Sequence, residues 1–320
     1  MTSVPVLMPA AMPAHVVASL EGRFDLKKAW TAPDPAAFIR EVGPTVRGVA
    51  LGGHTRVDGA FMDGLPALEI VSSFGVGYDY IDAAEAGRRG VIVTNTPDVL
   101  TDEVADLTVG LLLATLRHIP QVDRYLRAGK WLEKPYPLTP TLRGRTVGVL
   151  GLGRIGKAVA TRLAAFGVAI AYHGRNRQAD VPYAFHPTLV GLAEAVDILI
   201  SVAPGGSDTN GIVNAEVFRA LGPNGVFVNV GRGSVVDEPA LIEALRSGTI
   251  LSAGLDVFAD EPRVPAELIA LEQVVLLPHV GSASVETRRA MGQLVVDNLL
   301  SWFDGRGPLT PVAETPYRRA

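Results

Sequence analysis

The stretch TVGVLGLGRIGKAVATRLAAFG, residues 146–167, decides the fold. Its first five residues, TVGVL, are largely β-branched and apolar, as expected of a buried strand. Gly151, Gly153 and Gly156 follow directly and open an amphipathic helical run. A G-x-G-x-x-G pattern alone is weak, because glycine-rich turns are common. Between a strand and a helix it is a dinucleotide fingerprint. The first glycine permits a tight turn, the second lets the backbone approach a pyrophosphate, and the third allows close helix–strand packing. The helix N-terminus then offers unpaired N–H groups and partial positive charge to the anion.

From here the same rhythm runs both ways along the chain. Downstream, VAIAY, DILISVAP, GVFVNVG, ILSAGLDVF and VVLLPHVG join TVGVL as six strands with helical segments between most of them. That is a complete doubly wound domain. Upstream, VRGVALGG, LEIVSSFG and VIVTNTP read as strands, with DPAAFIREV and YIDAAEAGRRG as helices. The fold class is therefore α/β, with two Rossmann-like domains built on doubly wound parallel sheets. Residues 101–128 read as one long helix, with Thr101 and Asp102 as caps and Pro120 as the point of kinking or division. Near the C-terminus, Met291, Leu294, Val295, Asn298 and Leu299 share one helical face. This helix comes after the second sheet is complete, so it is predicted to return to the first domain. The boundaries become 1–98 plus 289–320 for a discontinuous substrate domain, and 99–288 for an inserted dinucleotide domain.

Composition removes whole classes of function. Hydrophobic residues make up 48% of the 320 and charged residues 19%, a globular balance. The net charge of −4 argues against nucleic acid as a partner. With no cysteine there are no disulfides, thiolate metal sites or cysteine nucleophiles, which suits a cytoplasmic enzyme. The N-terminal segment lacks a basic n-region and carries three early prolines, against a signal peptide. The apolar run at 107–116 is roughly half the length that spans a bilayer, so no membrane partner is expected.

About 20 residues after the glycine loop, a site of this kind often carries an Asp or Glu that holds the ribose hydroxyls. Here IAYHGRNRQ, residues 170–178, carries none, and the first acid is Asp180. Arg175 can clamp a phosphate and Asn176 can donate to it. Nothing there repels a 2′-phosphate. The reading is NADPH/NADP as cofactor, with NAD weaker; a solvated basic loop is the plain alternative.

Three further positions follow predicted strands. Arg232 stands between two glycines after GVFVNVG, where it could bind a carboxylate or pair with a local acid such as Asp237. Asp256 and Glu261 lie at and beyond the end of ILSAGLDVF; singly, they read as a turn cap and a loop acid. His279 closes VVLLPHVG and is either a loop histidine or, beside a carboxylate, a general acid. Ligands of open α/β sheets collect at the carboxyl ends of strands, so Arg, Glu and His in successive positions there favour one joint site. No metal-ligand spacing and no G-x-S-x-G elbow competes with it.

Together SSFGVGYDYID (72–82), VLGLGRIGKAVA (149–160), NVGRGSVVDE (229–238), DVFADEP (256–262) and PHVGSAS (278–284) resemble the D-isomer-specific 2-hydroxyacid dehydrogenase family, from about residue 45 to 300. Within it, the chain looks most like the glyoxylate/hydroxypyruvate and hydroxyphenylpyruvate reductases. The resemblance implies reduction of small 2-oxoacids to D-2-hydroxyacids by hydride transfer from NADPH. It implies that Arg232 binds the carboxylate, that His279 protonates the developing alkoxide, and that Glu261 hydrogen-bonds His279 and favours its imidazolium. Gly53, Val76 and Gly77 would contact substrate. Thr101, Asp256 and Ser282 would lie near the cofactor, and Arg154, Ile155, Gly174, Val202, Pro204 and Val230 would complete its site. The substrate side chain is expected against Leu51, Gly52, Gly53, His54 and Phe74, with Trp131 or Tyr136. Glyoxylate and hydroxypyruvate come first as substrates, then phenylpyruvate-type acids. An exposed apolar helix around 105–130 points to a homodimer, in agreement with the resemblance. A dinucleotide-sensing regulator or corepressor on the same fold is the alternative, disfavoured by the acidic charge and the compact length.

Overall fold

The structure is a computed structural model that describes residues 3–53 and 55–317. The chain forms two compact units. One holds the residues through Leu100 and those from Ser284 onward; the other spans Thr101–Ala283. Both passages fall at helix starts: Thr101 is the first residue of one helix, and Ser284 caps another through a bond to Thr287 N–H. The second helix is thus kept whole in the first unit.

The first unit is built on five parallel strands, β1 (Pro5–Met8), β2 (Asp25–Lys28), β3 (Gly48–Leu51), β4 (Ile70–Ser73) and β5 (Ile92–Thr94), in the order β2-β1-β3-β4-β5. β3, β4 and β5 are the strands expected from the sequence. PVLM is four residues in a proline-rich run, and DLKK is a polar edge strand whose lysines suit an unpaired border. The helix Val285–Phe303 covers one face, placing Val295, Val296 and Leu299 in a core with Val6, Met8, Ala50 and Ile70. Asn298 sits buried on that face because it fastens the chain reversal that follows. Its Oδ1 accepts from Leu309 and Thr310 N–H, and its Nδ2 donates to Leu294 O and Thr310 Oγ1. Leu294, from the same expected face, is only partly buried.

The second unit carries seven parallel strands: β6 (Thr146–Leu150), β7 (Ala169–His173), β8 (Ala184–Phe185), β9 (Ile198–Ser201), β10 (Val226–Asn229), β11 (Ser252–Leu255) and β12 (Val274–Leu276). Their order, β12-β11-β10-β9-β6-β7-β8, reverses direction between β6 and β9. That reversal is the switch point where a doubly wound sheet opens a crevice at its carboxyl edge. The six expected strands are all present, and the seventh, β8, is two residues long. β9, β10 and β11 are buried throughout, as a sheet covered on both faces requires.

The helical segment expected over 101–128 is divided, as Pro120 predicts, into two helices, Thr101–Leu116 and Ile119–Arg127. His118 between them takes a left-handed conformation, φ 52°. Pro120 lies in the first turn of the second helix, where its missing N–H costs nothing and its ring ends the first. The apolar exposure assigned to the whole segment is confined to its later part. Val104, Ala105, Leu111 and Leu112 are core, whereas Ile119, Leu126, Trp131 and Leu132 face solvent. No described helix is long and apolar enough to cross a membrane.

Candidate active site

The loop after β6 has the shape its glycines predict. Gly151 adopts φ +93°, a conformation that L side chains rarely enter. Gly156 packs so closely on the Gly151 carbonyl that any Cβ there would overlap it. Gly153 differs: its backbone is extended, and a Cβ would meet no protein atom within 4 Å. The space at Gly153 is open where a dinucleotide pyrophosphate would need the backbone to be approachable. Arg154 and Ile155 begin the helix Arg154–Ala164 beside it. Val202 and Pro204 follow β9, and Val230 follows β10, all on the same carboxyl edge. The donor set fits a dinucleotide.

β7 continues one residue beyond the expected Tyr172, to His173, before turning through Gly174. Arg175, Asn176 and Arg177 are exposed, and among the described residues they make no hydrogen bond or ion pair. Asp180, the first acid after them, is engaged by Lys157 from the helix behind the glycine loop, 2.7 Å away. That lysine holds the Asp180 carboxyl below its ordinary range. Two unpartnered cations and an acid already neutralised make this turn receptive to added negative charge.

Arg232 leaves the end of β10 half-buried, its Nη1 donating to Gly231 O at 2.9 Å. Asn229 braces the turn from below: its Nδ2 donates to Arg232 O and its Oδ1 accepts from Gly231 N–H. Asp237, the local acid considered for Arg232, instead caps the helix Glu238–Arg246 through Ala240 N–H. Gly233 is pressed against the backbone of Phe258 and Ala259.

That contact links Arg232 to the other two residues. Phe258 N–H donates to Glu261 Oε1 at 3.0 Å, and Glu261 Oε2 lies 2.7 Å from His279 Nδ1. Glu261 thus orients the imidazole through Nδ1. His279 has φ +53°, an unfavourable region for a residue with a side chain. Such a conformation persists only where its surroundings impose it. Asp256 imposes it here. Its carbonyl accepts from His279 N–H, and its carboxylate accepts from Val280 N–H at 2.7 Å and Gly281 N–H at 2.8 Å. Asp256 is 1% exposed, and burial pushes its carboxyl above the ordinary range, partly opposed by those two bonds. Ser282 follows in the same turn, and Thr101 opens the first helix of the unit.

In the first unit, the turn after β4 is tied at Gly75 by Thr96, and Asn95 Nδ2 donates to Val76 O. Among the described residues the N–H groups of Val76 and Gly77 have no hydrogen-bond partner. Beside this turn, Gly52, Gly53 and Phe74 line a cavity of about 200 Å³ with Ala11, Met12, Pro13 and Arg288. Leu51, expected at its wall, is sealed inside β3, and His54 lies outside the described residues. Trp131 is exposed, and Tyr136 packs on Tyr125 and His118. Met12 and Arg288 carry no sequence signal for this cavity, because they come from segments far from β3 and β4 in the chain. The Arg288 guanidinium lies 5.5 Å from the Phe74 ring centre, a stacking that periodicity does not reveal.

Comparison with known proteins agrees with this geometry. Residues 109–281 match the family model for the NAD-binding domain of D-isomer specific 2-hydroxyacid dehydrogenases. The chain is 48% identical to glyoxylate/hydroxypyruvate reductase A of Arabidopsis thaliana, over 98% of this chain and 100% of that protein. It is 47% identical, with the same coverage, to hydroxyphenylpyruvate reductase of Plectranthus scutellarioides. Among solved structures, the NADPH-dependent glyoxylate/hydroxypyruvate reductase of Sinorhizobium meliloti, in complex with NADP and malonate, superposes with a TM-score of 0.92 at 51% identity, covering 100% of this chain and 99% of that one.

Proposed function

The chain belongs to the D-isomer-specific 2-hydroxyacid dehydrogenases, and from that premise we propose that it reduces small 2-oxoacids to D-2-hydroxyacids with NADPH. The observation that carries the reading is the 2.7 Å His279–Glu261 hydrogen bond on the sheet edge that also bears the glycine loop. When bound, NADPH supplies a hydride to C2 of the substrate. The protein's own residues do the rest. Arg232 binds the carboxylate and draws electron density from the adjacent carbonyl. The N–H groups of Val76 and Gly77 are assigned to that same carboxylate. His279 delivers its Nε2 proton to the oxygen as negative charge develops there, so the carbonyl becomes an alcohol and the imidazole is left neutral. Glu261 keeps Nδ1 occupied throughout and so holds the ring in one orientation for the transfer.

Arg175 and Asn176 are assigned to the 2′-phosphate of NADPH. Loss of a charge-assisted contact of that kind costs about 1.5–3 kcal/mol, so NADPH should exceed NADH by at least ~10-fold in kcat/KM. Glyoxylate and hydroxypyruvate are the first substrates, followed by phenylpyruvate-type acids. The exposed Ile119, Leu126, Trp131 and Leu132 support a homodimer, and the absence of cysteine suits the cytoplasm. A panel of 2-oxoacids assayed with both cofactors tests the whole reading. Equal efficiency with NADPH and NADH would remove the phosphate receptor, and near-wild-type reduction by His279→Ala would remove the proton donor. A single mass for the monomer by light scattering would remove the dimer.

A further inference from the structure

The turn at 174–177 poses a problem of order. Its three polar side chains, Arg175, Asn176 and Arg177, are exposed and find no partner among the described residues, so nothing at its tip fixes its shape. Its base is held instead. Tyr172, fully buried and packed 5.3 Å from the Phe185 ring, receives Gln178 N–H on its hydroxyl at 2.7 Å. The Gln178 side chain reaches the other way, its Nε2 donating to Leu152 O at 2.7 Å. Leu152 is the residue between Gly151 and Gly153, and its side chain is 3% exposed. A second tie, Lys157–Asp180, is open to solvent at both ends and stabilises little.

One amide therefore joins the backbone that faces the pyrophosphate to the turn that bears the cations. We propose that Gln178 is a positioning residue, which fixes the Arg175–Asn176 turn in register with the phosphate loop and so sets discrimination for the 2′-phosphate. The inference rests on the assignment of Arg175 to that phosphate. Its physical content is preorganisation: a turn held in its binding shape loses less conformational freedom when the ligand arrives. Gln178 is suited to this because its amide is long enough to span the gap and supplies an N–H donor. A methionine of the same length fills the space without donating.

Isothermal titration of the full-length protein provides the test, with NADP+, NAD+, 2′,5′-ADP and 5′-AMP as ligands and no turnover involved. Gln178→Met should weaken NADP+ and 2′,5′-ADP by about 5-fold, as expected for one neutral hydrogen bond, with NAD+ and 5′-AMP within about 2-fold of wild type. In an Arg175→Ala/Asn176→Ala background the same substitution should add no further loss, because the turn then has no assigned phosphate contact to position. Parallel weakening of NADP+ and NAD+ would overturn the proposal, since Gln178 would then serve the phosphate loop in general. So would unchanged affinity for all four ligands. If Arg175→Ala alone leaves NADP+ affinity intact, the phosphate receptor itself is wrong and the inference falls with it. That outcome is read independently of Gln178.

Discussion

Replacing Gly233 with alanine tests whether the catalytic set is one mechanical unit. A Cβ at this position would stand 2.5 Å from Ala259 N and overlap the Phe258 carbonyl, against an ordinary contact of about 3.5 Å. Both obstacles are backbone and the Phe258 carbonyl is the nearer, so the strand-end loop at 258–259 must retreat by more than about 1 Å. Such overpacking costs about 1–3 kcal/mol. For a unit of 100–200 residues this lowers the unfolding midpoint by roughly 2–10 °C. The catalytic effect should be larger than the stability effect. Phe258 N–H holds Glu261, and Glu261 holds His279, so the displacement passes directly to the proposed proton donor. A misplacement of about 1 Å can cost ~100-fold in rate. Calorimetry and kcat/KM for glyoxylate with NADPH read the two effects separately. NADP+ affinity should change little, because the glycine loop follows β6, two strands away from β10 in the sheet. A variant with kcat/KM within about 3-fold of wild type would refute the mechanical coupling of Gly233 to His279.

Gly153→Ala should do the opposite. With extended backbone and no protein atom near the new methyl, stability should stay within about 0.5 kcal/mol, while NADP+ affinity falls at least ~10-fold; calorimetry and titration check the pair, and unchanged affinity would place the pyrophosphate elsewhere. Glu261→Gln exchanges a charged acceptor on His279 for an amide. Both side chains are partly exposed, which favours the low end of the charge-assisted range and a loss of about 10-fold in kcat/KM with NADP+ binding retained. A loss under 2-fold would count against the role given to Glu261. Asp256 makes a prediction about pH. Burial raises its folded carboxyl above the unfolded value of 3.8, so the folded protein binds the extra proton. The resulting stability is present in full below that value and is lost as pH rises through the raised one. The midpoint of wild type minus that of Asp256→Asn should therefore be larger near pH 4 than near pH 7; a gap that grows with pH would reverse the sign.

What was legible in the chain was whatever repeats or punctuates. The glycine loop declared its strand and helix because each glycine answers a local steric demand, at Gly151 by its φ and at Gly156 by its packing. Pro120 announced the break near residue 118 for the same kind of reason. β1, β2 and β8 were not legible. At two to four residues, one opening on proline and one mostly polar, they are too short to carry a period. Arg232, Glu261 and His279 could be named from strand ends, but not the means by which they are held. The Gly233–Phe258 contact, the Asp256 carboxylate under His279 and the Gln178 amide on Leu152 join residues about 25 apart. No window of sequence spans them.

The divided first unit has a consequence for how the chain is made. Its N-terminal part supplies all five strands of the sheet, yet Val295, Val296 and Leu299, which cover Val6, Met8, Ala50 and Ile70, belong to the far end of the chain. The 183 residues from Thr101 to Ala283 must be synthesised first. At ribosomal rates of about 5–20 residues per second that delay lasts on the order of 10–40 s. The inserted unit is complete in sequence by then and can fold at once, while the earlier half-sheet waits with an apolar face uncovered. Vectorial folding is inverted here: the middle of the message yields the first finished unit, and the beginning must be kept from aggregating until the end emerges. Ribosome-stalled chains ending near residue 283 should be cut by protease within the first 100 residues, and chains extended through the final helix should resist.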